Sequence, residues 1–110
     1  MRRRWKEGAA VLFTGKMRGI WRDGDYICIR GEYRPVRFHI HEIRSIEIAG
    51  RDGAAYPLSA LPLRRAYAIF TLKSGRQRRL ACGRLTMRRY RWLLGLIEIE
   101  KHPEIKAAMM

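Results

Sequence analysis

The sequence predicts a mainly β domain closed by one C-terminal α-helix (an α+β fold), and three observations carry that expectation. Short apolar or alternating runs recur between residues 9 and 49 and again between 66 and 83, punctuated by Gly-containing turns. One longer segment, from Met87 to about Lys101, places apolar residues at helical spacing. At 110 residues and 47% hydrophobic composition, the chain has room for one core and reads as a single domain over 1–110 despite a formal net charge of +14.

The elements follow in order. Residues 9–14 (AAVLFT) read as a first strand and Gly15-Lys16 as a turn. Residues 17–22 (MRGIWR) form a second strand, closed by Asp23-Gly24, a strong hairpin signal. Residues 25–30 (DYICIR) pair back, with Ile27 and Ile29 on one face and Tyr26 and Cys28 on the other. Residues 35–41 alternate: Val36, Phe38 and Ile40 oppose Arg37, His39 and His41. The parity breaks between Ile43 and Ile46, which predicts a turn or bulge near Arg44-Ser45 before a fifth strand at 45–49. Residues 50–65, with two Gly and two Pro, form the longest irregular stretch, which is a surface loop or carries one short helical turn. Residues 66–73 (AYAIFTLK) suit a central strand; Ser74-Gly75 turns the chain into 76–83, where Leu80 and Cys82 oppose Arg79 and Ala81.

Thr86 is placed to cap the helix that follows. Met87, Tyr90, Leu93, Leu94 and Ile97 make the stripe that packs on a sheet. Trp92, Leu96 and Ile99 fall almost opposite and make a second, narrower stripe. That stripe is either covered by the C-terminal tail with Ile105, or by the 50–65 loop, or is an exposed patch for a second copy, another protein or a membrane interface.

Charge is the strongest functional signal. Residues 64–91 hold ten Lys or Arg and no acid. Arg outnumbers Lys nineteen to five, and the planar guanidinium pairs two-to-two with phosphate or carboxylate. A codon bias explains that ratio equally well, but not the local absence of acids. Arg64, Arg65, Arg76, Arg78, Arg79, Arg84, Arg88 and Arg91 are therefore the candidate polyanion-binding residues, drawn as one ridge along the last hairpin and the helix start. Tyr33, Trp21 and Tyr56 are candidates for stacking on bases.

Other chemistry is not signalled. There is no GxSxG, no phosphate-cradling Gly loop and no paired-carboxylate spacing, so no enzyme, cofactor or small-molecule substrate is expected. His39 and His41 share one strand face, but two ligands do not make a metal site, and His102 before Pro103 reads as exposed. Cys28 and Cys82 lack CxxC spacing and suit two buried free thiols in a reducing cytoplasm, with one disulfide still open. No helix-turn-helix or zinc-finger spacing is present. The apolar run after Met1-Arg2-Arg3-Arg4-Trp5 is too short for a signal peptide, and no run approaches a membrane span.

Seven strand-like segments followed by one capped amphipathic helix resemble a small bacterial pleckstrin-homology-like domain. The residues that carry the resemblance are Phe38-His39-Ile40-His41-Glu42-Ile43-Arg44-Ser45-Ile46-Glu47-Ile48, the Ser74-Gly75 hairpin and the closing helix with Trp92. It implies a bent seven-stranded antiparallel sheet, or partly open barrel, capped by the helix. It also implies a non-enzymatic module that binds lipid headgroups, peptides or other domains. Headgroup phosphates would then meet Lys16, Arg18 and Arg22, with the Arg2–Lys6 cluster beside them. Residues 9–49 also resemble an SH3-like or Sm-like barrel, through Thr14-Gly15-Lys16-Met17-Arg18-Gly19 and Asp25-Tyr26-Ile27, and Sm-like barrels bind RNA. The expected partner is nucleic acid, bound without sequence specificity, or an acidic protein; a homodimer through Trp92, Leu96 and Ile99 and an anionic membrane surface are the alternatives.

Overall fold

The computed structural model describes residues 17–31 and 33–108. The expected strand at 9–14, the Gly15-Lys16 turn, Lys16 itself and the Arg2–Lys6 cluster lie outside the described residues.

The first sheet is a three-stranded antiparallel meander of β1 (Ile20–Asp23), β2 (Tyr26–Ile29) and β3 (Val36–His39). Asp23 pairs with Tyr26, so only Gly24 and Asp25 make the turn, and Gly24 takes the φ of +61° that such short hairpins require. Ile20, Ile27, Ile29 and Phe38 turn inward and are buried.

The chain changes sheets at a capped 3₁₀ turn, Ile40–Glu42. The His39 imidazole accepts from the His41 amide, and the Glu42 carboxylate accepts from the His39 amide, so the turn is boxed at its start. Its flanks bond to both sheets: the Ile40 amide donates to the Asp25 carbonyl at 2.8 Å, and the Glu42 carbonyl accepts from the Lys73 amide at 2.8 Å.

The second sheet has the order β5 (Ala55–Tyr56), β4 (Ile43–Ala49), β6 (Leu63–Leu72), β7 (Gln77–Leu85), all antiparallel. The bulge expected near Arg44-Ser45 is present as a register shift between Ile43 and Ser45. The central position of the 66–73 segment is also as expected, although β6 begins three residues earlier, at Leu63.

Two expectations are corrected. The strands form two sheets rather than one bent seven-stranded sheet, because the 3₁₀ turn between β3 and β4 removes the pairing that would have joined them. The 50–65 stretch carries the short helical turn offered for it, a 3₁₀ turn at Leu58–Ala60 with Leu58 buried, but it also contains a strand that was not expected, β5. The seven described strands are therefore not the seven expected, since one of the latter lies outside the described residues.

The helix α1 (Met87–Ile97) is capped as its sequence demands, with Thr86 Oγ1 accepting from the Arg89 amide at 3.2 Å. It stops four residues short of the expected Lys101, because Glu98 adopts a left-handed conformation (φ 55°, ψ 46°) and a separate 3₁₀ turn, Ile99–Lys101, follows. Tyr90, Leu93 and Ile97 are buried and face the core formed by both sheets; Leu94 is half-buried and Met87 lies at the surface. Each fully buried side chain of this size contributes roughly 1.5–3 kcal/mol. The tail then returns to the sheet, where Lys106 bridges Ser45 in parallel and Ile105 is buried. No helix among the described residues is long and apolar enough to cross a membrane.

Candidate polyanion-binding surface

Strand pairing decides where the arginines go. Leu63 pairs with Leu85 and Ala66 with Gly83, so Arg64 and Arg65 together oppose the single residue Arg84. This β-bulge crowds three exposed guanidinium-bearing residues into one corner of the second sheet. Arg88 and Arg91, both exposed, follow on the first turns of α1. The corner is braced by half-buried Arg89, whose Nη1 donates to the Arg84 carbonyl.

The other arginines of the expected ridge sit elsewhere. Arg76 lies in the β6–β7 turn, about 25 Å along β7 from Arg84 at ~3.3 Å per residue. Arg78 shares the inward side of β7 with buried Leu80 and Cys82; it is half-buried, and its shielded Nε has no hydrogen-bond partner among the described residues. Arg79 points outward, with its guanidinium carbon 4.0 Å from the Tyr67 ring centroid. The single continuous ridge is thus divided by the alternation of the strand: Arg78 and Arg79 stand on opposite faces.

Arg79 instead joins a basic cleft of about 740 Å³ between the two sheets. One wall is Arg18, Gly19, Arg30 and Gly31; the other is Tyr67, Arg79, Leu80 and Ala81. The first wall is fixed by the Arg30 amide donating to the Gly19 carbonyl at 2.7 Å. Gly31 is required, because a side chain there would collide with the Arg34 carbonyl. Three arginines from three separate segments line this cleft, and among the described residues none of them forms an ion pair. Such a cluster repels itself until an anion neutralises it, and each planar fork can hold phosphate oxygens two-to-two.

Arg30 belongs to none of the candidate sets read from the sequence. A signal for it existed: a hairpin closed at Asp23-Gly24 pairs Ile20 with Ile29 and therefore sets Gly19 beside Arg30. The approach of β7 from the other sheet had no local signal.

The remaining candidates separate clearly. Arg18 is exposed and lies in the cleft, but Arg22 is consumed internally. Its guanidinium donates to the Leu96 carbonyl, the Gly24 carbonyl and the Asp25 carboxylate, and it pairs with Glu98 at 3.2 Å, so at least four of its contacts are made within the chain and its charge is answered by two carboxylates. Trp92, Leu96 and Ile99 are half-buried and pack against the core, so the second helical stripe is not an open apolar face. Among the stacking candidates, Tyr33 is 93% exposed and Trp21 43%, while Tyr56 is half-buried. A second cleft of about 640 Å³, walled by Arg44, Lys106, Tyr56 and Pro57, also contains Glu47, which makes it the poorer anion site.

Cys28 and Cys82 are both buried free thiols. Burial pushes the Cys82 thiol up from its usual 9.0 to about 11, so it is a poor nucleophile at neutral pH. His102 is not exposed as expected; its side chain is 14% accessible and meets His41 and Glu104. No family model matches the chain, and neither a curated protein nor a solved structure matches it.

Proposed function

We propose that this protein is a non-enzymatic binding module that holds a polyanion, nucleic acid in the first instance, largely through phosphate contacts. The observation that carries this reading is the meeting of Arg18, Arg30 and Arg79 beside Tyr67 with no carboxylate partner among the described residues. The bulge arginines extend it. The register shift between Ala66 and Tyr67 resets the parity of β7 at Cys82–Gly83, so Arg84, beside buried Leu85, stands on the same side of the sheet as Arg79, and Arg65, beside buried Ala66, stands with it; Arg79 and Arg84 are about 16 Å apart along β7. A backbone with phosphates every ~3.4 Å along its axis spans that distance in about five nucleotides. Exposed Tyr33, two residues beyond the cleft wall at Gly31, offers a stacking surface for an unpaired base. Among the described residues no element with base-reading geometry accompanies the arginines, so the proposed binding runs through phosphates without sequence preference. The fold we assign to the module is pleckstrin-homology-like, supported by two antiparallel sheets that share one core and a closing C-terminal helix.

Anisotropy titrations with labelled RNA, single-stranded DNA and duplex DNA at about 50 and 200 mM salt test this. Contact with about six phosphates costs roughly a thousandfold in affinity over that range. The R18E/R30E/R79E variant should lose binding. R44E/R51E/K106E, which changes net charge equally at exposed sites elsewhere, should retain most of it. Equal loss in both variants would mean that bulk charge, not the cleft, makes the contact. Binding to anionic vesicles but to no nucleic acid would transfer the cleft to a lipid headgroup.

A further inference from the structure

His41, His102 and Glu104 come from segments about 60 residues apart, and the backbone brings them together. His41 sits in the boxed 3₁₀ turn between the sheets, and His102 closes the last 3₁₀ turn, where its amide donates to the Ile99 carbonyl at 3.1 Å. Glu104 precedes buried Ile105. The tail is clamped just beyond, with the Lys106 amide donating to the Arg44 carbonyl at 3.0 Å and the Lys106 carbonyl accepting from the Ile46 amide at 2.7 Å. All three donor atoms lie within 4.8 Å of one another. Glu104 Oε1 is 3.9 Å from His41 Nδ1 and 3.6 Å from His102 Nδ1.

We propose that these three residues bind one zinc-class divalent cation. Tetrahedral zinc, at ~2.0–2.1 Å from nitrogen or carboxylate oxygen, sets its donors about 3.3 Å apart. The donors here need to close by about 1.5 Å at most, which side-chain rotation supplies on a fixed backbone. Two imidazoles and a carboxylate select Zn²⁺, Co²⁺ or Ni²⁺ over Mg²⁺ and Ca²⁺, which prefer all-oxygen shells. Three protein donors leave the fourth position to water.

The neighbours fit this role. His39 stacks on His41 with centroids 5.0 Å apart, but its Nδ1 already accepts from the His41 amide, so it orients the ligand rather than joining it. Glu42 is likewise committed to the His39 amide. Lys101 lies 3.7 Å from Glu98, so its charge is answered on the tail by a carboxylate other than Glu104. A bound cation would tie the C-terminal tail to the corner where the two sheets join, and so stabilise the folded chain. The site shares no residue with the arginine cleft and does not depend on the nucleic-acid reading.

The test is calorimetric titration of ZnCl₂ into untagged, EDTA-stripped full-length protein, with Co²⁺ as the spectroscopic probe. One Zn²⁺ per chain, a raised melting temperature, and Co²⁺ d–d absorption of a low-coordinate centre are expected, with no response to MgCl₂. His41→Ala and Glu104→Ala, both at exposed positions, should each weaken Zn²⁺ by roughly a hundredfold, while Glu100→Ala on the same tail should change nothing. No stoichiometric uptake by the wild type would overturn the proposal. So would undiminished uptake by folded His41→Ala and Glu104→Ala proteins, which would place the metal on other donors.

Discussion

Arg22 Nη1 donates to the Leu96 carbonyl at 3.0 Å, joining the first hairpin to the C-terminal end of α1. Leu96 is one of the last four helical residues, whose carbonyls have no partner within the helix. A cation there also complements the helix dipole. The same guanidinium reaches Glu98, the residue whose left-handed conformation ends the helix. Because the Arg22 side chain is only 18% exposed, removing it leaves a shielded carbonyl unanswered. Arg22→Ala should cost about 1–3 kcal/mol in urea unfolding. Lys should recover only part of that, since a point charge cannot make the forked contacts. The Arg37–Asp23 pair, 54% and 65% exposed, is the comparison: Asp23→Asn should change stability by no more than about 0.5 kcal/mol. Equal effects at the two sites would refute the distinction.

Cys82 predicts an alkaline instability. Its thiol is held neutral by burial, which raises its pKa from the usual 9.0 to about 11. In the unfolded chain the thiol ionises near 9, while the folded protein keeps its proton until about 11. The contribution is therefore intact below pH 9 and is lost as pH rises through 11. Two units correspond to on the order of 2–3 kcal/mol. Thermal melts between pH 8 and 11 should show a decline that is shallower in Cys82→Ala, whatever that variant loses in packing at neutral pH. Parallel slopes for the two proteins would show that the thiol does not ionise differently on unfolding.

Tyr90 offers a stabilising substitution. It is buried on the inner stripe of α1, and its hydroxyl has no hydrogen-bond partner among the described residues. Burial raises its pKa above the usual 10.0, and the Ala108 backbone, close to the hydroxyl but outside hydrogen-bond geometry, offsets only part of that. Tyr90→Phe keeps the ring and removes an unanswered polar atom. It should be neutral or stabilise by up to about 1 kcal/mol. Tyr90→Ala, which leaves a cavity, should cost about 3–5 kcal/mol. Denaturation midpoints of the two variants, compared with wild type, decide this.

Local features were legible because their causes are local. Asp23-Gly24 set the first hairpin, the broken parity after Ile43 marked the bulge, and Thr86 marked the helix start. The end of the helix was not legible, because Glu98 takes a left-handed conformation that sequence usually signals with Gly or Asn. The division into two sheets was hidden in the Ile40–Glu42 turn, whose alternating residues continue the β3 pattern while the backbone leaves it. The cleft and the histidine cluster depend on contacts between distant segments: β7 against the Gly19–Arg30 corner, and the tail against β4. Composition located the arginines, but only the register separated Arg78 from Arg79 and put Arg64, Arg65 and Arg84 at one bulge.

The second helical stripe gives a prediction that separates packing from association. Trp92, Leu96 and Ile99 pack against the core at intermediate exposure, so their apolar surface is partly spent within the chain. Replacing Trp92 and Leu96 with Ser should then lower stability by roughly 2–4 kcal/mol, since each large-to-small change in a half-buried position loses part of a full burial term. Sedimentation velocity of the folded double variant should match that of wild type, and so should RNA affinity, because neither residue lines the arginine cleft. The opposite pattern is equally specific. If wild type sediments as a dimer and the variant as a stable monomer, the stripe is an interface between copies, and its half-exposed surface is what the partner covers.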